Sequence, residues 1–406
     1  MPGRARANGE GSIFPYRNGF AAYVWVTKPD GKRTRKYVYG KTREIVHDKW
    51  IKLHQQAKAG PVATRVPTVG EYLDRWHREV VRPNLAPLTA ATYETLIRLY
   101  IKPGLGAKRL DRLQVRDVQT WLNALVGTCQ CCAQGKDARR PAGQQRCCAV
   151  GACCSSLPVT STLGDARKVL RSALSHAQTE ELIARNVAGL AKLPVSRKRK
   201  GKAWSTEEAR RFLESARRDG DPLYAAYVLV LVCGLRKGEV LGLTRDDVDL
   251  DAAELVIGRQ LQRVGRQLLH RETKTQASDA SLPMPGICVT ALRQRLTEAD
   301  QARPAAGSAW LHTGLVFCSA YGTPIDPRNF NRSWDTRCLK AGVRKITVHD
   351  ARRTCGSLLA DLDVHPRVAM TILRHARFSI TMEIYTQVSS KSTREALKRL
   401  GESLGE

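Results

Sequence analysis

Six side chains in the second half of the sequence could together break a phosphodiester bond without a metal ion. Guanidinium groups grip two phosphate oxygens at once and stay charged at any relevant pH. A tyrosine hydroxyl can attack phosphorus, while lysine or histidine can move the proton. The six residues are Arg236, Lys274, His349, Arg352, His375 and Tyr385. This set predicts cleavage of DNA or RNA in which the broken strand stays attached to the protein.

The sequence around the arginines predicts fixed positions for their side chains. The apolar run 223–235 predicts a buried helix that ends near a glycine and presents Arg236. Glu239, three residues further on, would lie on the same helical face and orient the guanidinium. His349 and Arg352 have the same spacing at the start of another predicted helix, where Arg352 would complete a clamp on the non-bridging phosphate oxygens. A surface ion pair and a structural histidine are the alternatives at these positions.

Two further positions supply the groups that would react. Tyr385 falls in a late predicted helix, where a tyrosine is normally part of the core, but neighbouring arginines would stabilise a nucleophilic phenolate. Lys274 stands between two threonines at the edge of a predicted β-hairpin and could protonate the leaving 5′ oxygen. Each residue alone is a weak signal, but chance is a poor explanation for all six in this order.

The composition predicts a protein that binds nucleic acid. The 406 residues include 67 Lys and Arg against 38 Asp and Glu, for a formal net charge of +29. Such a charge attracts polyanions, with DNA or RNA as the default partner. The alternatives are a protein that is merely soluble and basic, or one that binds acidic lipid. The length predicts two or three domains. Because no secretory segment or membrane-spanning run is visible, we expect an intracellular protein with no membrane partner and with reduced or metal-bound cysteines.

The first predicted domain, residues 1–66, is a small basic module of three strands and a helix. An Asn18-Gly19 turn joins the first two strands, and a helical pattern follows from about residue 42. A twisted three-stranded sheet can lie in a major groove of DNA. The predicted DNA contacts are Lys32, Arg33, Arg35 and Lys36. Strand alternation leads us to expect at least half of the aromatic side chains in the sheet core, among Phe20, Tyr23, Trp25, Tyr37 and Tyr39.

Two larger predicted domains follow. Residues 67–193 show helical periods after a Thr68–Glu71 capping box, and residues 204–406 are mostly helical with a short β-region. A basic linker, residues 194–203, separates them and would follow the DNA phosphates. The residues predicted to make these contacts are Lys192, Arg197, Lys198, Arg199, Lys200 and Lys202.

A cysteine-rich insertion, residues 127–156, interrupts the predicted helical domain. Closely spaced cysteines in an intracellular protein favour zinc, because thiolates are good zinc donors. The spacing is not a regular CxxC pair, so a disordered, redox-labile loop is the alternative. The candidate ligands are Cys129, Cys131, Cys132, Cys147, Cys148, Cys153 and Cys154.

The second half of the chain resembles the tyrosine recombinase, or phage integrase, family. Gly-Leu-Arg-Lys-Gly-Glu at 234–239 is similar to the first arginine box of that family, and His-Asp-Ala-Arg at 349–352 is similar to the second. Leu-Arg-His at 373–375, followed by Tyr385, resembles the last box. Arg374 departs from the family pattern, which usually has glycine there, and adds a positive group near the site.

The resemblance implies a role for each residue of the set. Arg236 and Arg352 would bind the scissile phosphate, Tyr385 would form a 3′-phosphotyrosyl link, and Lys274 would be the general acid. The two histidines, His349 and His375, would support phosphate binding and proton transfer. No cofactor is then required for catalysis.

The resemblance also implies the architecture and the partners. The expected fold is mainly α with small β regions: an N-terminal three-stranded sheet plus helix for arm-type DNA sites, a helical core-binding domain, and a mixed α/β, mostly α, catalytic domain. Double-stranded DNA at attachment sites, a homotetramer on DNA and a directionality factor are the expected partners. Integration and excision of a mobile element in the bacterial cytoplasm, at the nucleoid, is the expected function, as for phage or integrative-element integrases of actinobacteria. A type IB topoisomerase and a non-catalytic DNA-binding regulator on the same fold are the alternatives.

Overall fold

The chain forms two compact units, residues 1–196 and 197–406. The division between them falls inside the basic segment 194–203. This computed structural model describes residues 13–28, 31–60, 66–193, 202–272, 280–385, 398 and 401–402. Among these residues, no helix is both long enough and apolar enough to cross a membrane.

The predicted N-terminal sheet is confirmed. Strands β1 (Phe14–Tyr16), β2 (Gly19–Thr27) and β3 (Arg33–Gly40) pair antiparallel in that order, and the helix Arg43–Ala59 follows. The Thr42 side chain caps this helix by accepting a hydrogen bond from the backbone of Ile45. One face of the sheet packs on the helix and buries alternate strand residues. The small core consists of Ala22, Val24, Val26, Val46, Trp50 and Leu53.

The expectation for the aromatic residues of this sheet is wrong. Trp25, Tyr37 and Tyr39 are 48%, 42% and 48% exposed, Tyr23 is half-buried, and only Phe20 packs against the small core. Strand alternation separates the two faces, but a single helix can cover only one of them. The remaining face is therefore aromatic and open to solvent.

The rest of the first unit is a helical domain around its own core. The helix Val69–Trp76 begins at the predicted capping box, in which Thr68 and Glu71 bond each other's backbone. Buried aromatic and aliphatic side chains such as Tyr72 and Leu170 fill the interior. The other helical segments are His77–Val81, Arg82–Asn84, Pro87–Leu96, Ile97–Ile101, Lys102–Leu105, Leu110–Arg112, Val115–Gly127, Gln130–Ala133, Ala142–Gln144, Cys148–Val150, Thr160–Thr179 and Val187–Gly189.

The second unit is also mainly helical, which confirms the predicted fold class. Its strands β4 (Val248–Asp249), β5 (Glu254–Ile257) and β8 (Ala280–Pro283) form one sheet in the order β4-β5-β8, and β6 (Arg259–Val264) pairs with β7 (Gln267–Glu272). Its helical segments are Thr206–Arg218, Tyr224–Val232, Lys237–Leu241, Arg245–Asp247, Gly286–Ala306, Gly307–Ala309, Pro327–Lys340, Val348–Asp361, Pro366–Leu373 and Phe378–Tyr385.

A stacked aromatic core fixes the elements that carry the site. Trp204 and Trp334 stack with ring centroids 5.5 Å apart, and Phe212 and Tyr227 pack around them. The predicted apolar helix is the segment Tyr224–Val232, which is buried along most of its length. Because this helix lies inside the core, the core fixes the point at which the following loop begins.

Candidate active site

Arg236 is presented by a tight turn at the end of the apolar helix. Gly234 lies between them with φ of +60°, and a Cβ atom there would approach Cδ2 of Leu373 to 2.6 Å. Only glycine fits both the left-handed backbone and the close contact. Arg236 then caps the short helix Lys237–Leu241, and 40% of its side chain remains exposed.

Glu239 orients Arg236, as the sequence predicts. One carboxylate oxygen accepts a hydrogen bond from the Arg236 side chain at 2.6 Å, and the other accepts from the Arg236 backbone at 2.9 Å. Burial raises the pKa of Glu239, but the charges of Arg374 and Arg236 outweigh this effect and lower the pKa below its ordinary value. Glu239 is therefore an anion that holds two arginines.

Arg374 is the second partner of Glu239, which sequence reasoning missed. Its guanidinium donates to Glu239 at 2.7 Å, and its backbone carbonyl accepts from Arg236. Its side chain is 1% exposed, and its backbone φ of +49° lies in the region that favours glycine. An arginine in a position that favours glycine was the available signal, because such a residue needs a strong tertiary partner to offset the strain.

Arg352 is buried and joins two backbone segments of the site. It projects from the helix Val348–Asp361 and donates to the carbonyl oxygens of Gly234 and Leu373. Burial, and then the charges of Arg236 and Arg374, lower the pKa of Arg352 to about 9. The guanidinium is still mainly charged at neutral pH.

The two histidines lie within the field of these arginines. Desolvation, followed by the charge of Arg352, lowers the pKa of His349, which retains an exposed surface. His375 is half-buried, and its Nδ1 lies 3.0 Å from the hydroxyl of Thr381. Burial and then the charges of Arg352 and Arg236 lower the pKa of His375 to about 4. Both rings therefore favour the neutral form until an anion enters the site.

The depressed pKa of His375 predicts a specific loss of stability in acid. In the unfolded chain a histidine binds a proton below about pH 6.5, whereas folded His375 resists protonation until about pH 4. Its contribution to the free energy of unfolding is therefore present above pH 6.5 and falls as the pH drops through this window. We expect His375→Gln to flatten the fall when urea unfolding is followed between pH 7 and pH 4. His312→Gln, at an exposed histidine, is the control, and parallel curves for His375→Gln and wild type would contradict the assignment.

Tyr385 is placed in the predicted late helix, but its hydroxyl is engaged elsewhere. The hydroxyl donates to the backbone carbonyl of Val364 at 2.7 Å, and the residue is only 9% exposed. Burial, and then Cys355, raise the pKa of Tyr385 above its ordinary value. The structure therefore holds Tyr385 as a neutral hydroxyl, whereas attack on phosphorus needs positive charge beside it.

The structure describes only some of the basic residues predicted in the linker and in the β-hairpin. Lys192 is exposed, and both its backbone amide and carbonyl bond the side chain of Gln119. Lys202 is also exposed. The predicted general acid and four of the basic linker residues lie outside the described residues; they are Lys274, Arg197, Lys198, Arg199 and Lys200.

The open face of the N-terminal sheet carries two of the predicted basic contacts. The Arg35 guanidinium lies 4.8 Å from the ring centroids of both Tyr23 and Trp25, and Arg33 lies 5.8 Å from that of Trp25. Contact with aromatic rings holds a guanidinium in place at the surface while its charge stays in water. The face therefore combines positive charge with flat apolar area.

The other two predicted contacts of this module differ in position. Lys32 is exposed in the turn before β3. Lys36 alternates with Arg35 along β3 and so points to the face that packs on the helix, where burial lowers its pKa. Lys36 cannot contact the same ligand surface as Arg33 and Arg35, because strand neighbours point to opposite faces.

Comparisons with known proteins give a consistent family. The model of the phage integrase family matches residues 203–392, and that of the phage integrase N-terminal SAM-like domain matches residues 68–126. The first range contains Arg236, Arg352 and Tyr385. The second ends at the last residue before the cysteine-rich insertion.

Curated relatives and a solved structure extend the likeness over most of the chain. A "Tyrosine recombinase XerC-like" protein of Caldanaerobacter subterraneus is 25% identical over 92% of this chain and 93% of its own length. An "Integrase" of Streptomyces ambofaciens is 27% identical over 88% and 86%. A structure of the Tn1549 transposon integrase in complex with circular intermediate DNA shares the fold with a TM-score of 0.64 and 20% identity, over 82% of this chain and 99% of the other. This chain belongs to the phage integrase family.

Proposed function

We propose that this protein is a site-specific DNA recombinase that cuts and rejoins DNA through a covalent tyrosine–DNA intermediate. The observation that carries the proposal is that both arginines meet the segment just before His375. Arg236 donates to the carbonyl of Arg374, and Arg352, on the helix that also carries His349, donates to the carbonyls of Gly234 and Leu373. The helix that carries Tyr385 also carries Thr381, which contacts His375. Relatives named integrase and tyrosine recombinase support the same activity.

The chemistry needs one bond to form as another breaks. The oxygen of Tyr385 attacks the scissile phosphorus and passes its proton to one of the neutral histidines, His349 or His375. The bond to the 5′ oxygen breaks, and the 5′ oxygen takes a proton from Lys274. Arg236, with its exposed guanidinium, and Arg352 would stabilise the charge that develops on the non-bridging oxygens. Attack by a 5′ hydroxyl on the phosphotyrosine reverses the steps. Because one phosphodiester replaces another, neither ATP nor a metal is required.

Cleavage also requires a change of partner for Tyr385. Its hydroxyl must leave the carbonyl of Val364 before it can reach a phosphate. The negative charge of an incoming phosphate favours the protonated form of a nearby imidazole. The pKa values of His349 and His375 should therefore rise when DNA is bound. Binding of DNA would in this way increase the positive charge of the site that holds its phosphate.

A direct test uses nicked duplexes tiled across the genomic DNA that flanks the coding sequence. A nick near the scissile phosphate lets the short product diffuse away, so a covalent adduct accumulates and its DNA end can be mapped. We expect a protein–DNA adduct at a defined position with a 3′ link. Cutting without any covalent adduct would contradict the proposed intermediate.

Strand exchange must also be separated from simple relaxation. A type IB topoisomerase uses similar chemistry without choice of sequence, and a supercoiled plasmid without the mapped site tests for it. We expect exchange between two duplexes that carry the mapped site and little relaxation of the plasmid that lacks it. Efficient relaxation of any plasmid, without exchange, would favour the topoisomerase. Binding without cleavage would favour a regulator.

We further propose that the recombinase acts as a tetramer that integrates and excises a mobile element, with a directionality factor for excision. Each protomer has one candidate nucleophile, and exchange between two duplexes requires four strand cuts. Relatives include the integrase of Staphylococcus phage L54a and the ICEBs1 integrase of Bacillus subtilis, which supports a mobile element as the substrate. Analytical ultracentrifugation of the protein bound to two duplexes that carry the mapped site tests whether four chains assemble on them.

The aromatic face of the N-terminal sheet is proposed to bind a second DNA site. Arg35→Ala should weaken binding of full-length protein to duplexes from the element ends by about tenfold, because a stacked guanidinium is worth about 1–2 kcal/mol at a phosphate contact. Lys52→Ala removes the same charge from an exposed position on the helix Arg43–Ala59 and is the matched control. Equal losses for the two variants in a gel-shift titration would show a general effect of charge and contradict a specific surface.

A further inference from the structure

The cysteine-rich insertion gathers its seven thiols into one compact group. The sulfur of Cys148 lies 3.9 Å from that of Cys129 and 3.7 Å from that of Cys154. The sulfurs of Cys131 and Cys147 are 3.8 Å apart, and those of Cys132 and Cys153 are 3.7 Å apart. Sulfurs joined in a disulfide are only about 2.05 Å apart, so these are separate thiols.

The distances match those between ligands of a zinc ion. With Zn–S bonds of about 2.3 Å at tetrahedral angles, any two sulfurs on one zinc lie about 3.8 Å apart. The thiols form two groups of four, each with all sulfurs within 4.8 Å of one another, and Cys148 belongs to both. The first group is Cys129, Cys132, Cys148 and Cys153, and the second is Cys131, Cys147, Cys148 and Cys154.

The insertion has no hydrophobic interior that could hold the thiols in place. Its neighbours in sequence, Leu122 and Ala166, are core residues, but no residue between 127 and 159 is among the buried residues of either cluster of the first unit. Val150 and Val159 are 59% and 65% exposed. A segment of this length without a core is normally stabilised by disulfides or a metal.

We propose that the insertion binds two zinc ions that share the Cys148 thiolate as a bridge. Four thiolates around each ion then account for all seven cysteines, with no ligand left over and none missing. The inference is independent of the recombinase activity, since it rests on sulfur positions in the insertion alone.

A buried carboxylate positions the shared ligand. Asp137 is 0% exposed and accepts hydrogen bonds from the backbone amides of Cys147 at 2.9 Å and Ala149 at 3.1 Å, on either side of Cys148. It also accepts from the amide of Arg146. Asp137 is thus a positioning residue that fixes the loop around the bridge and not a ligand.

The charge of the surrounding segment suits such a cluster. Seven thiolates and two Zn²⁺ ions leave a net charge of minus three. The stretch between the cysteine pairs contains four basic residues and one acid: Lys136, Arg139, Arg140 and Arg146 with Asp137. The basic side chains offset the excess negative charge that two adjacent metal–thiolate centres would otherwise build up.

The number of metal ions tests the proposal. Full-length protein is purified under reducing conditions without chelator, its zinc, iron and copper are quantified against protein by elemental analysis, and intact mass is measured under native conditions. We expect about two zinc ions per chain, Zn–S distances of about 2.3 Å by X-ray absorption, and mutual spin coupling of two ¹¹³Cd signals after exchange. One zinc ion per chain, none, or iron or copper instead would overturn the proposal.

Two variants locate the ions and the bridge. Cys148→Ser should lose at least one zinc ion per chain and the coupling between the cadmium signals. Cys318→Ser, at a buried cysteine of the second unit, should keep both ions. If Cys148→Ser fails to fold, a chain in which a Gly-Ser linker replaces residues 129–154 gives the second measurement and should hold no zinc. Zinc retained by that chain, or two ions retained by Cys148→Ser, would contradict the site.

Discussion

Tyr385→Phe should form no covalent adduct with a nicked duplex on which the wild-type chain accumulates one. The substitution removes the single oxygen that would attack phosphorus, and loss of the nucleophile in a covalent mechanism lowers the rate by at least about a thousandfold. DNA affinity should stay within about threefold, because the ring and the helix Phe378–Tyr385 remain. Adduct yield on denaturing gels and binding by gel shift measure the two effects.

The control for this variant is a tyrosine outside the site. Tyr321 is 59% exposed, and Tyr321→Phe should leave the adduct yield unchanged. Tyr385→Phe also loses the hydrogen bond to Val364, so a loss of about 1 kcal/mol in the free energy of unfolding is expected. An adduct that survives in Tyr385→Phe would show that another residue is the nucleophile.

Glu239→Ala should lower the free energy of unfolding by about 3–5 kcal/mol. The carboxylate compensates Arg374, whose side chain is 1% exposed, and removal of one partner from a buried pair leaves an uncompensated charge. Urea unfolding of the full chain measures the change. For comparison, Glu214→Ala breaks the exposed pair with Arg210 and should cost no more than about 1 kcal/mol.

A double variant separates the buried charge from other effects of losing Glu239. Glu239→Ala with Arg374→Gly leaves no buried guanidinium, and glycine is at ease at the φ of +49° found at residue 374. The double variant should therefore recover much of the stability lost by Glu239→Ala alone. Equal instability of the single and double variants would mean that Arg374 is not the source of the loss.

Local sequence patterns predicted the elements well. The capping box at Thr68 begins a helix as expected, because a side chain and a backbone amide three residues apart decide it. The helix with His349 and Arg352 and the antiparallel N-terminal sheet follow from spacing of the same kind. Such features depend on a few neighbouring residues, which the sequence displays directly.

Contacts between residues that lie far apart in the chain could not be predicted from local sequence patterns. Arg374 meets Glu239 across 135 positions, and no local pattern reports that pair. The exposure of Trp25 and the inward face of Lys36 depend on which side of the sheet the helix covers, whereas alternation shows only that there are two sides. The hydroxyl of Tyr385 donates to Val364, 21 positions away, and no local pattern in the sequence reports that bond either.

The hydrogen bond between Tyr385 and Val364 also bears on whether the protein would cut DNA at unintended sequences. A chain of net charge +29 is attracted to any duplex, so most of its encounters with DNA are with irrelevant sequence. In the proposed recombinase the hydroxyl of Tyr385 is hydrogen-bonded to the carbonyl of Val364, so contact with DNA alone would not lead to cutting. The helix that carries Tyr385 must first move away from Val364. Selectivity would then reside in the release of the tyrosine as much as in recognition of the site.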